Sequence, residues 1–157
     1  MARTMVSGAV ALVVGVLVYL AGRDAVYSQW IPAVPAIAGT LSFGSAGDWL
    51  PSLAHVVGFS LLSAALLPLS ARTTACVAWC SVDVAFEVGQ HAQITPMLSA
   101  WLTQSWVAKP AADALDLYFT RGTFDTRDLL ACLAGAVLAV AILQLDRPRC
   151  RGVGDAV

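Results

Sequence analysis

The sequence predicts an all-α fold: a polytopic membrane protein built as a four-helix transmembrane bundle, with a short amphipathic extracytoplasmic helix. Three observations predict it. Of 157 residues, 59% are hydrophobic and only 12% are charged, with a mean hydropathy of +0.76; a soluble domain carries about 25% charged residues. Four apolar runs, each near the length of a membrane span, divide the chain. Polar and ionisable residues then gather at matching ends of three of those runs. The length fits one domain.

The first run is Met5 to Gly22. Arg3 before it and Ala21-Gly22-Arg23-Asp24-Ala25 after it also have the layout of a signal peptide with a small-residue cleavage site. A retained helix is preferred because the run is long for such a signal and is the first of four. The second run, Leu53 to Leu69, follows Asp48-Trp49-Leu50-Pro51-Ser52. Pro51 suits the first turn of a helix, where its missing N–H is no loss. The Arg72-Thr73 pair is read as a tight turn, making the second and third runs antiparallel neighbours. The third run is Thr74 to Val88, and the fourth, Leu129 to Leu145, is closed by Arg147-Pro148-Arg149. The predicted spans are about 5–22, 51–69, 74–90 and 128–145, with extracytoplasmic loops at 23–50 and 91–127. The apolar cores are short against the roughly 20 residues of a standard span, a deficit that local bilayer thinning covers.

Between the third and fourth runs, Met97, Leu98, Trp101, Leu102 and Trp106 recur at helical spacing. Tryptophan favours the membrane–water boundary, so a short amphipathic helix on the outer surface is expected, ended by Lys109-Pro110. Ordinary loop packing against the bundle is the alternative. A similar half-buried outer loop is expected around Trp30 and Ile31-Pro32-Ala33-Val34-Pro35.

Basic residues in short loops mark the cytoplasmic side. Arg3, Arg72, Arg147, Arg149 and Arg151 fall on one side, whereas Arg23, Lys109, Arg121 and Arg127 are spread over the long loops. Both termini are therefore expected in the cytoplasm. A net charge of -1 offers no footprint for nucleic acid. The cysteines Cys76, Cys80, Cys132 and Cys150 lack metal or redox spacing and read as packed, reduced thiols.

Charge within a bilayer costs about 2.5–3.5 kcal/mol per residue on insertion scales, so a one-sided polar cluster suggests a site. Asp48, Ser52 and His55 share one helix face, with His55 about 10 Å along the axis from Asp48. Asp83, Glu87 and either Gln90 or His91 follow the same rule on the third run. Asp128 opens the fourth run, where it suits the helix dipole, and Arg121 just before is the natural partner for Glu87 or Asp48. The candidate ligand-binding residues are Asp48, His55, Glu87, Gln90, Arg121, Asp125 and Asp128. Each has a plainer reading. Asp48, and Asp125 or Thr126, fit helix N-caps, His55 fits a satisfied interior histidine, and Glu87 with Arg121 fits a structural clamp. Asp83 is expected to be protonated or bonded to a neighbouring helix.

At these residues the chain resembles the VanZ-like family of small bacterial membrane proteins. The pieces that carry the likeness are Leu50-Pro51-Ser52-Leu53-Ala54-His55-Val56-Val57-Gly58-Phe59 and Phe86-Glu87-Val88-Gly89-Gln90. Arg121-Gly122-Thr123-Phe124-Asp125-Thr126-Arg127-Asp128-Leu129-Leu130 and Gly135 complete them. The likeness covers about Asp48 to Val140. It departs where the family has an asparagine and this chain has Cys132, and in the longer connection from Gln90 to Arg121. The resemblance implies a place in the bacterial inner membrane and association with the cell envelope, the namesake conferring low-level glycopeptide (teicoplanin) resistance. It implies no reaction.

The leading expectation is an outer-face polar pocket that binds or processes a lipid-linked or cell-wall component, with membrane lipid as its partner and no cofactor. Arg121 would meet an anionic headgroup while His55 and Glu87 hydrogen-bond or transfer protons. One rival is an intramembrane enzyme with His55 as general base and Glu87 or Asp128 orienting it, or with a metal on His55, Glu87 and an aspartate; no nucleophile motif supports it. Proton or ion conduction along Asp83, Glu87 and His55 is another, and a structural scaffold is the last.

Overall fold

The computed structural model describes residues 1–22 and 43–146. Among these the chain is all-helical: α1 (Ala2–Gly22), α2 (Ala46–Leu66), α3 (Arg72–Gly89), α4 (Thr95–Gln104), α5 (Lys109–Arg121) and α6 (Thr126–Leu145), with a 3-10 turn at Leu69–Ala71. Three helices, α1, α2 and α6, are long and apolar enough to cross a membrane by length and composition. The third run forms the 18-residue α3, which carries Arg72, Asp83 and Glu87. The loop expected around Trp30, and Arg147, Arg149, Arg151 and Cys150, lie outside the described residues.

Prolines account for where the structure departs from the expected boundaries. α2 begins at Ala46, so Pro51 lies inside the helix rather than at its start. Its missing N–H leaves one early carbonyl without a helical partner. α2 ends at Leu66 because Pro68 forces the residue before it out of the helical region; Leu67 is extended, with φ −103° and ψ 153°. The turn therefore falls at Leu67–Ala71, and Arg72 and Thr73 open α3. Lys109-Pro110 starts α5 instead of ending the preceding helix, as suits proline in a first turn. In place of one surface helix the segment is a hairpin of α4 and α5. Leu102, Ala112 and Phe119 are buried between them, and Ser99 donates to Asp116 across them.

Four helices form the main bundle, with α2 packed against α1, α3 and α6, and α3 against α6. α1 and α2 run antiparallel at close range through small residues, which let backbones approach. A Cβ on Gly8 would stand 3.0 Å from the Gly58 carbonyl oxygen, and one on Gly15 2.8 Å from the Ala54 Cβ. α6 runs parallel to α2, and a Cβ on Gly135 would stand 2.9 Å from the Leu53 carbonyl oxygen. Val57, Leu61, Ala64, Cys76, Ala139 and Leu143 form the core between α2, α3 and α6. Cys76, Cys80 and Cys132 are buried free thiols.

The outside of the bundle is apolar as well. Val6, Val10, Val13 and Leu17 of α1 and Leu130, Leu133 and Val137 of α6 are all exposed. A soluble monomer rarely shows a continuous patch of this kind. At one end of the bundle Thr4 Oγ1 donates to Asp146 Oδ2 at 3.0 Å, so the start of α1 and the end of α6 share that end. The start of α2, the end of α3 and the start of α6 share the other.

Candidate functional site

The second end is the polar one, and three interhelical contacts assemble it. Ser52 Oγ of α2 donates to Asp128 Oδ1 in the first turn of α6, at 3.0 Å. Glu87, near the end of α3 and only 8% exposed, accepts the backbone N–H of Asp125 at 2.8 Å. Asp125 in turn N-caps α6, its Oδ1 accepting the Arg127 N–H at 2.8 Å. The third contact is deeper. His55 Nδ1 and Asp83 Oδ2 meet at 2.7 Å across α2 and α3. Asp83 lies six residues before the last residue of α3, or about 9 Å down the axis.

Each contact follows from helical spacing. Ser52 and His55 are three apart on α2, and Asp83 and Glu87 four apart on α3, so each pair lines one face. The parallel run of α2 and α6 brings Asp128 to Ser52, while the antiparallel turn brings Asp83 to His55. The carboxylates of Asp83, Asp128 and Glu87 all lie near enough to Cys132 to act on it electrostatically.

The expected pairing of Arg121 with Glu87 or Asp48 is not formed. Arg121 is the last residue of α5 and is exposed; the ion pairs among the described residues are His55–Asp83 and Lys109–Asp113. A backbone N–H satisfies Glu87 in its place. No ion pair joins His55, Glu87 and Arg121 to one another among the described residues. Asp48 sits exposed in the first turn of α2, at its third residue and not at the cap, where a negative charge suits the helix dipole.

Gln90 caps the C-terminus of α3 and lies against the α5–α6 linker, where a Cβ on Gly122 would collide with its side-chain amide. Beside it opens a cleft of about 590 Å³ lined by Gln90, His91, Thr95, Phe119, Thr123 and Phe124, among others. The His91 ring stands edge-on to Phe124 at 5.1 Å, and its Nδ1 accepts the Gln93 N–H at 3.3 Å. Arg121 lies in sequence between two lining residues, Thr120 and Gly122. Tyr118 of α5 packs against Phe86 and Phe119. Its phenol is pushed up to about 12, chiefly by desolvation among these neighbours and then by the Glu87 charge, with Gln90 opposing.

Two functional candidates were absent from the expected site. Asp83, expected to be protonated or bonded to a neighbouring helix, is bonded to His55 of α2, a partner that depends on the helix register. His91 and its cleft depend on the α4–α5 hairpin, which brings Thr95 and Phe119 together. Among the described residues no group of three or more His, Cys, Asp or Glu is arranged to hold a metal ion. Comparison with family models, curated proteins and solved structures found no match to this chain.

Proposed function

We propose that the chain is a VanZ-like multi-pass protein of the bacterial inner membrane that binds a lipid-linked or cell-wall headgroup at the polar end of its bundle. The observation that carries this reading is a cleft bearing Gln90, His91 and Thr123 at one end of a bundle whose outside is apolar. α1, α2, α3 and α6 are the four spans, with both termini in the cytoplasm and the polar end outside. α3 tolerates its carboxylates because each has a partner on a neighbouring helix.

The polar residues divide by role. Glu87, Asp125, Asp128 and Ser52 join helices and so set the shape of this end. Gln90, His91, Thr123 and Arg121, which makes no ion pair among the described residues, remain for a ligand, Arg121 supplying a cation at the rim for an anionic group. The α4–α5 hairpin lies on the outer surface, with Trp101 and Trp106 exposed at the boundary.

Native mass spectrometry of the detergent-extracted protein tests this. Wild type should carry a headgroup-bearing lipid adduct that Arg121→Ala, an exposed and fold-neutral change, loses. An adduct-free wild type, or an adduct indifferent to Arg121, would leave only the scaffold reading.

A further inference from the structure

We infer that His55, held by Asp83, is a laterally open proton-acceptor site for a lipid headgroup that carries a hydroxyl or an ammonium. This deepens the proposed function and rests on its membrane reading. α2 meets α1 through Ala54 and Gly58, and α6 through Leu53 and Val56. His55 and Phe59, four residues apart, fall on the remaining face, beside the seam with α3. The His55 side chain is 47% exposed there while Asp83 is only 12% exposed.

The geometry sets the chemistry. An ionised carboxylate can only accept, so Asp83 places the ring proton on Nδ1 and leaves Nε2 as a bare acceptor. Nε2 has no protein partner among the described residues. Phe59 stands edge-on to the ring at 4.5 Å and stacks with Trp79 at 4.6 Å, and Trp79 is fixed by its Nε1 donating to Ser63 Oγ at 2.9 Å. The imidazole is thus held from two sides, with its acceptor nitrogen left to the surroundings.

A bare Nε2 does not suit phosphate as its partner. Phosphate oxygens bring no proton to a bare nitrogen, and the Asp83 carboxylate stands behind the ring to repel an anion. A hydroxyl or an ammonium answers both conditions: each donates a proton, and neither is anionic. Phosphate recognition, where it occurs, belongs to Arg121 at the rim.

The experiment uses ¹⁵N-histidine-labelled full-length protein in lipid nanodiscs. The chain has 2 histidines, so the signals kept in His91→Gln identify those of His55, and the lipid response is read in the wild-type chain. In phosphatidylcholine discs, whose headgroup donates no proton, Nδ1 should be protonated and Nε2 bare. Adding phosphatidylglycerol (a hydroxyl) or phosphatidylethanolamine (an ammonium) should move Nε2 toward the hydrogen-bonded position, and the lipid that moves it names the donor. Asp83→Asn should abolish that response.

An Nε2-protonated ring in phosphatidylcholine, or a signal indifferent to both lipids, would overturn the proposal. A full lipid response retained by Asp83→Asn would overturn the part given to Asp83. The wild-type measurements decide the matter if that variant fails to fold. Incorporation into discs is scored separately. A chain that stays out sinks the membrane reading, whereas one that enters with an indifferent His55 sinks only this inference.

Discussion

His55 and Asp83 meet at 2.7 Å between α2 and α3, two turns beneath the polar end of an otherwise apolar bundle. A lone carboxylate at that depth would be costly, and the pair removes the cost by sharing a proton donor. Replacing Asp83 with Ala should cost about 0.5–1.5 kcal/mol, the net worth of one such hydrogen bond, because half-exposed His55 can find another partner. Thermal unfolding in detergent measures it. A loss several times larger would make the pair mainly a fold lock.

Glu87 is expected to behave differently. Its carboxylate accepts the N–H that opens α6, so Glu87→Ala strands a main-chain donor and should cost about 1–3 kcal/mol. Glu87→Gln keeps an acceptor oxygen and should lose much less. Equal losses for the two variants would show that charge, not the hydrogen bond, holds α6 to α3.

The close approach of α2 and α6 depends on Gly135. A leucine there has no room beside the Leu53 carbonyl and Val56, and overpacking of this kind costs about 1–3 kcal/mol. Gly135→Leu should therefore lower the unfolding temperature, and a variant as stable as wild type would refute the helix register described here.

Trp106 is 94% exposed and Trp101 lies on the same hairpin. If α4 and α5 rest at the membrane boundary, lipids brominated near the headgroup should quench this fluorescence more than lipids brominated near the chain ends. Changing both tryptophans to Phe should remove most of that difference. Preferential quenching by the deep label would place the hairpin elsewhere.

Much of the bundle is legible in residue order alone. The apolar runs of α1 and α6 are long and nearly free of charge, and the small residues that let α1 approach α2 lie along them. Less legible is what depends on register. Pro68 moves the turn to Leu67–Ala71, and that shift decides which α3 carboxylate faces His55. The partner of Glu87 was hidden for another reason: a main-chain N–H at Asp125 carries no mark in the residue type, whereas Arg121 invites a charge pairing that the fold does not make. Lys109-Pro110 reads equally as a stop or a start, and only packing of Leu102 on Ala112 and Phe119 makes it a start.

Photo-crosslinking in intact membranes tests headgroup binding most directly. A photoreactive side chain at Thr123, in the cleft, should capture a headgroup-bearing lipid or lipid-linked envelope component. The same probe at Val137, on the exposed apolar face of α6, should capture only bulk phospholipid acyl chains. Identical bulk lipid from both positions, or no lipid from Thr123, would contradict a headgroup site at the polar end.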